Sequence, residues 1–151
     1  MYYSKSRGKI VLGIILDEKS KISDVQEEMG RVFPYLKIEF YNFPYHADTL
    51  PPRSKMFDSE KELRYCFIKH EGVAKLVASG LKLNPAFTVG ELEEELWNEF
   101  GLSTKVFRKS GNHWIATTLT RSWTLFQQNL EGEQLSSLFF DGENIDITEH
   151  V

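Results

Sequence analysis

The sequence predicts a single α+β domain built from two strand–helix–strand units, and three observations predict it. Apolar residues run in the order strand period, helix period, strand period, and then do so again. The two runs align at a nearly fixed offset. The chain has 151 residues, about one domain, and its 41% hydrophobic and 13% aromatic content suffices for a core. That composition excludes a disordered segment or a disulfide-stapled miniprotein.

Residues 9–16 are apolar on both faces and rich in β-branched types, as in a central strand covered on both sides. Asp17 to Lys21 is a polar turn with Ser20 as N-cap of a helix over 22–34. Ile22, Val25, Met29, Val32 and Phe33 share one face of that helix, its acids lie near the N-terminus, and Pro34 closes it. Leu36, Ile38 and Phe40 then alternate with Lys37, Glu39 and Tyr41 as a half-buried strand. Residues 42–58, with Pro44, Pro51 and Pro52, read as an exposed excursion. Ser59 and Glu62 have the form of a capping box, which predicts a short helix to about Ile68 against a competing strand at 64–68.

Leu81 and Leu83 alternate around Lys82 in the next strand. Thr88 and Glu91 form a stronger capping box, opening a helix over 88–101 that ends at Gly101. Val89, Leu92, Leu96 and Phe100 face inward in this reading, while Glu91, Glu93, Glu94, Glu95 and Glu99 face outward. Strands at 104–107 and 113–118 flank the tight turn Gly111-Asn112. A helix from Thr124 offers Leu125, Phe126, Leu130, Leu135 and Leu138 for burial, with Gly132 marking a break and 141–151 a loose acidic tail.

Ile22–Met29 aligns with Val89–Leu96 at an offset of 67 residues, and Leu16 with Leu83. With one extra residue, Leu36 and Ile38 align with Thr104 and Val106. Two related units, at about 9–41 and 74–107, predict a ferredoxin-like βαββαβ core in one domain over 1–151, extended by a hairpin strand and a C-terminal helix. A β-grasp arrangement is the alternative.

The net charge of −4 gives no general attraction to phosphate backbones. The lone Cys66 cannot close an intramolecular disulfide, and the apolar run at 10–16 is about a third of a membrane span, so the expected setting is the cytoplasm, away from membranes. His46, His70, His113 and His150 share no ligand spacing, so neither a metal nor another cofactor is expected. Ser110-Gly111-Asn112-His113 spells the letters of a hydrolase class that draws these residues from separate blocks. Here they are contiguous on a turn, with no acid behind the imidazole.

The hairpin is the one local constellation that suggests a ligand. A Gly111-Asn112 loop sets Lys109 opposite Trp114 and Arg108 opposite Ile115. Lys105, Arg108, Lys109 and Arg121, with Ser110, Asn112 and His113, predict a cationic, hydrogen-bonding patch floored by Trp114 and Trp123. Such a patch suits a protein partner or a small anion. The competing reading is a solvated edge hairpin whose cations discourage aggregation.

Phe100-Gly101-Leu102, Val106 to Asn112, Trp114, Thr117-Thr118, Trp123-Thr124-Leu125 and Gln128-Asn129 together resemble a small bacterial domain family of unassigned function. The resemblance spans roughly residues 80–132 and implies a bacterial origin, with no activity or site residues to carry over. The expected function is therefore a non-catalytic interaction or small-ligand-binding module. A small hydrolase or transferase using His113 and Ser110 is the alternative, and a single-stranded nucleic-acid binder, disfavoured by charge, is a second. Tyr41, Phe43 and Tyr45 at a sheet edge suggest either a weak homodimer or cover by Leu50, Met56 and Phe57 of the same chain.

Overall fold

The alternating pattern at residues 36–40 and 104–110 produces an antiparallel ladder at the centre of the molecule. The computed structural model describes residues 2–6, 9–69 and 80–149. In chain order the elements are β1 (Tyr2–Ser6), β2 (Lys9–Ile15), α1 (Ile22–Val32), β3 (Leu36–Phe40), β4 (Gly80–Leu83), α2 (Val89–Phe100), β5 (Thr104–Ser110), β6 (His113–Ala116) and α3 (Leu125–Glu149). They form two three-stranded antiparallel sheets, ordered β1-β2-β4 and β3-β5-β6.

The mixed α/β composition is as read from the sequence, but the strand order departs from one βαββαβ sheet. In that arrangement the strand after the second helix pairs with the first strand. Here β5 pairs with β3, in a separate sheet from β2 and β4. Both ladders are nevertheless centred on residues that align in the sequence. Ile14 lies opposite Leu81, 67 residues on, and Ile38 lies opposite Val106, 68 residues on. α1 packs on β3 and β2, α2 on β5, and α3 on β5 and β3. One core joins Ile22, Val25 and Met29 of α1, Leu92, Leu96 and Phe100 of α2, and Leu36, Ile38, Phe40 and Val106 of the sheet.

Local chemistry explains the helix ends. Thr88 Oγ1 accepts from Glu91 N and Glu91 Oε1 accepts from Thr88 N, both at 3.1 Å, which is the reciprocal capping box read from the sequence. Gly101 ends α2 in the left-handed conformation at φ 66, and a Cβ there would meet the Lys69 carbonyl at 2.6 Å. For α1 the cap is Lys21 rather than Ser20, because Asp24 Oδ2 accepts from the Lys21 amide at 2.9 Å.

Residues 59–69 form neither a helix beyond one 3₁₀ turn at Leu63–Tyr65 nor a strand. Their backbone groups bond to the turn before α1 and to its first residues: Leu63 N to Ser20 O, Arg64 N to Glu18 O, Ile22 N to Lys61 O and Ser23 N to Ser59 O. Tertiary partners replace the i→i−4 ladder. The excursion after β3 folds back, with Asn42 N donating to Lys55 O and Phe57 N to Phe40 O. Tyr41 and Tyr45 are thereby buried, which corrects the expectation of an aromatic edge open to a second copy.

α3 also departs from the reading. It runs unbroken through Gly132 to Glu149, across the stretch read as a loose tail. Its buried side consists of Leu125, Gln128, Gly132 and Ser136, whereas Phe126, Leu130 and Leu138 are exposed. Gly132 explains the exchange. A Cβ there would lie 2.7 Å from Tyr35 Cβ and 3.2 Å from Lys109 O, so the helix approaches the β5–β6 hairpin through its glycine. None of the described helices is long and apolar enough to cross a membrane.

Candidate functional site

The hairpin has the predicted register, Arg108 opposite Ile115, Lys109 opposite Trp114 and Ser110 opposite His113, around Gly111 at φ 65. It does not gather the predicted patch. Pleating divides its side chains between two faces. Trp114 shares a face with Lys109 and Lys37, whose Nζ lies 5.0 Å from the indole centroid. Arg108 belongs to the other face, its guanidinium 5.6 Å from the Trp123 ring and its Nη1 donating to Gln128 Oε1 at 2.8 Å. Asn112 and His113 are exposed at the tip.

Lys105 and Arg121 leave the patch altogether. Lys105 is 1% exposed and points toward the excursion after β3, where Nζ donates to His46 O at 2.8 Å and Ala47 O at 3.2 Å. Its ammonium lies 3.8 Å from Glu93 Oε1 and 4.6 Å from the Tyr45 ring. Glu93, read as outward, is 2% exposed. Its two oxygens accept from Tyr45 OH at 2.9 Å and from Val106 N at 3.0 Å, where β6 has left the ladder. Burial raises the Glu93 pKa against the pull of Lys105, Val106 N–H and Tyr45, and burial lowers that of Lys105 against Glu93. Arg121 closes the network from outside, donating to Glu94 Oε1 at 3.2 Å and Tyr45 OH at 3.4 Å. Its guanidinium lies over Gly90, where a Cβ would meet Nη2 at 2.7 Å. These groups fasten the excursion and α2 to β5.

The accessible chemistry lies where α3 begins. Thr124 and Gln127 form a second capping box, with Thr124 N donating to Gln127 Oε1 at 2.9 Å and Gln127 N to Thr124 Oγ1 at 3.0 Å. A bridge between Thr88 and Thr124 sets the two helix starts side by side. Gln128 Nε2 donates to Thr120 O at 2.7 Å, holding the turn that carries Trp123. Beside that tryptophan, Gln127, Leu130, Glu131 and Gln134 line a shallow depression of about 240 Å³. A second, of about 410 Å³, continues along the helix past Gln134 to Glu133, Ser137 and Leu138. Trp123 is 38% exposed, Phe126 59%, Leu130 40% and Leu138 66%, so the groove is apolar at its floor and open to solvent.

Of the predicted site residues, this surface includes Trp123 and, behind it, Arg108. The sequence reading missed Leu130, Gln134 and Leu138 because it spent every leucine of α3 on the core. The spacing of Gln128, Gly132 and Ser136 at intervals of four is the signal that would have found them, since small and polar residues mark the side that packs closely. Among the described residues no three His, Cys, Asp or Glu side chains converge on a metal position. Comparison of the chain with protein-family models, with curated proteins and with solved structures finds no match.

Proposed function

We propose that the protein is a non-catalytic interaction module and that its docking surface is the groove from Trp123 along α3. The observation that carries this reading is the burial pattern of α3. A helix normally buries its large apolar side chains and exposes its small polar ones. This one buries Gly132 and Ser136 and exposes Phe126, Leu130 and Leu138. Aligned exposed apolar groups on a rigid helix mark a partner surface. Ser110 and His113 support a catalytic reading less well, since both flank the hairpin tip and His113 is exposed. We also read the two strand–helix–strand halves as related units, a reading supported by the ladders centred on Ile14–Leu81 and Ile38–Val106.

The experiment is site-specific photo-crosslinking in cells, with the reactive side chain at Gln127 and, as control, at exposed Lys19. A discrete adduct at Gln127 that is missing at Lys19 is the expected result. Identical patterns at both positions would remove the groove as the interaction surface.

A further inference from the structure

We propose that the groove receives an amphipathic helix of another protein whose apolar stripe is flanked by lysines or arginines, an inference that rests on the interaction reading above. The floor supplies apolar anchors at Trp123, Leu130 and Leu138. The last two are eight residues apart, about 12 Å of helix rise, which two turns of a partner helix cover. The walls supply charge of one sign. Glu131 lines the first depression and Glu133 the second. After Arg121 the sequence contains no Lys or Arg, while Asp141, Glu143, Asp146 and Glu149 follow along the same helix.

That charge selects among occupants. Nucleic acid and anionic lipid are repelled by a carboxylate-lined groove. A second copy docking through the same face would set two acidic helices against each other, with like charges opposed at the rim. An apolar helix with flanking cations satisfies both floor and walls. Its aliphatic stems can lie on the apolar floor while their cations reach the carboxylates.

The test is a tryptophan-fluorescence titration of the full chain with two synthetic helical peptides of about 18 residues. Both carry the same leucine stripe, one flanked by lysines and the other by glutamates. The lysine peptide should shift the emission to the blue, with saturation, and the shift should vanish in Trp123→Phe. Leu130→Asp should weaken binding roughly tenfold or more. Glu131→Lys combined with Glu133→Lys should invert the preference toward the glutamate peptide. Leu130, Glu131 and Glu133 lie outside the core, so these variants keep the fold. Equal affinity for the two peptides, no binding of either, or a preference that survives the charge reversal overturns the proposal. So does a wild-type dimer in sedimentation equilibrium that Leu130→Asp converts to monomer. In that case the Gln127 adduct has the mass of two chains, and the interaction reading stands without this partner.

Discussion

Lys105 Nζ lies 3.8 Å from Glu93 Oε1, and both side chains are almost wholly buried. Each charge is out of water, so each depends on the other and on its hydrogen bonds: the His46 and Ala47 carbonyls for the ammonium, Tyr45 OH and Val106 N–H for the carboxylate. Lys105→Met leaves an uncompensated buried carboxylate and should cost about 3–5 kcal/mol in chemical denaturation. Adding Glu93→Gln, which keeps an acceptor for Val106 N–H, should recover roughly half of that loss or more. Additive losses in the double variant would mean that the two charges are uncoupled.

The same pair sets a pH dependence. Burial raises the folded-state pKa of Glu93 above its ordinary value of 4.5. Its protonated form is therefore favoured in the folded chain. The associated stability is full below the ordinary value and is lost as pH rises through the raised one. Glu93→Gln lacks this contribution. It also leaves Lys105 without the carboxylate that most opposes its downward shift. A lowered lysine pKa gains stability for the folded chain as pH rises through it, so both effects act in one direction. The stability difference, wild type minus Glu93→Gln, should be largest near pH 4 and shrink toward pH 8, measured by urea unfolding at intervals. A difference that grows with pH would reverse the assignment.

Where chemistry is local, the sequence was a sufficient guide. The Thr88–Glu91 box, the Gly101 stop, the Gly111-Asn112 turn and the hairpin register all depend on residues within a few positions of each other. Long-range partners were not legible. Glu93 looks like one more solvated glutamate until Lys105 and Tyr45, from distant segments, are brought against it. Residues 59–69 look helical until their amides find acceptors in the segment that precedes α1. The candidate groove was hidden for a related reason: hydrophobicity shows which residues of α3 can be buried, while Gly132 against Tyr35 decides which side is.

Two leucine truncations separate core from groove. Leu96 is 0% exposed within the central cluster, so Leu96→Ala should cost about 2–5 kcal/mol through lost burial and the cavity it leaves. Leu130 is 40% exposed on the groove floor, and Leu130→Ala should cost under about 1 kcal/mol. Thermal melts of the two variants should differ by several degrees. Equal shifts would place Leu130 in the core and remove the groove.

Glycine substitutions in two helices should have opposite signs. In α1, a Cβ at Gly30 meets nothing within 4 Å, so Gly30→Ala removes backbone freedom from the unfolded chain at no steric cost. It should stabilise the protein by about 0.5–1 kcal/mol. In α3 the same exchange at Gly132 sets a methyl 2.7 Å from Tyr35 Cβ and 3.2 Å from both Arg108 Cγ and Lys109 O. Neither Tyr35 Cβ nor a backbone carbonyl can swing away, so the helix itself must move from the hairpin. That movement strains the Asn129 Oδ1 bond from Tyr35 N, now 2.9 Å, and the Arg108–Gln128 contact that holds Trp123 in place. Gly132→Ala should therefore lose about 1–3 kcal/mol despite its better helix propensity. Trp123 should become more accessible to an aqueous quencher in that variant, while Gly30→Ala leaves quenching unchanged. A stabilising Gly132→Ala would mean that α3 does not approach the sheet through its glycine, and the exposed stripe of Phe126, Leu130 and Leu138 would then have no structural cause.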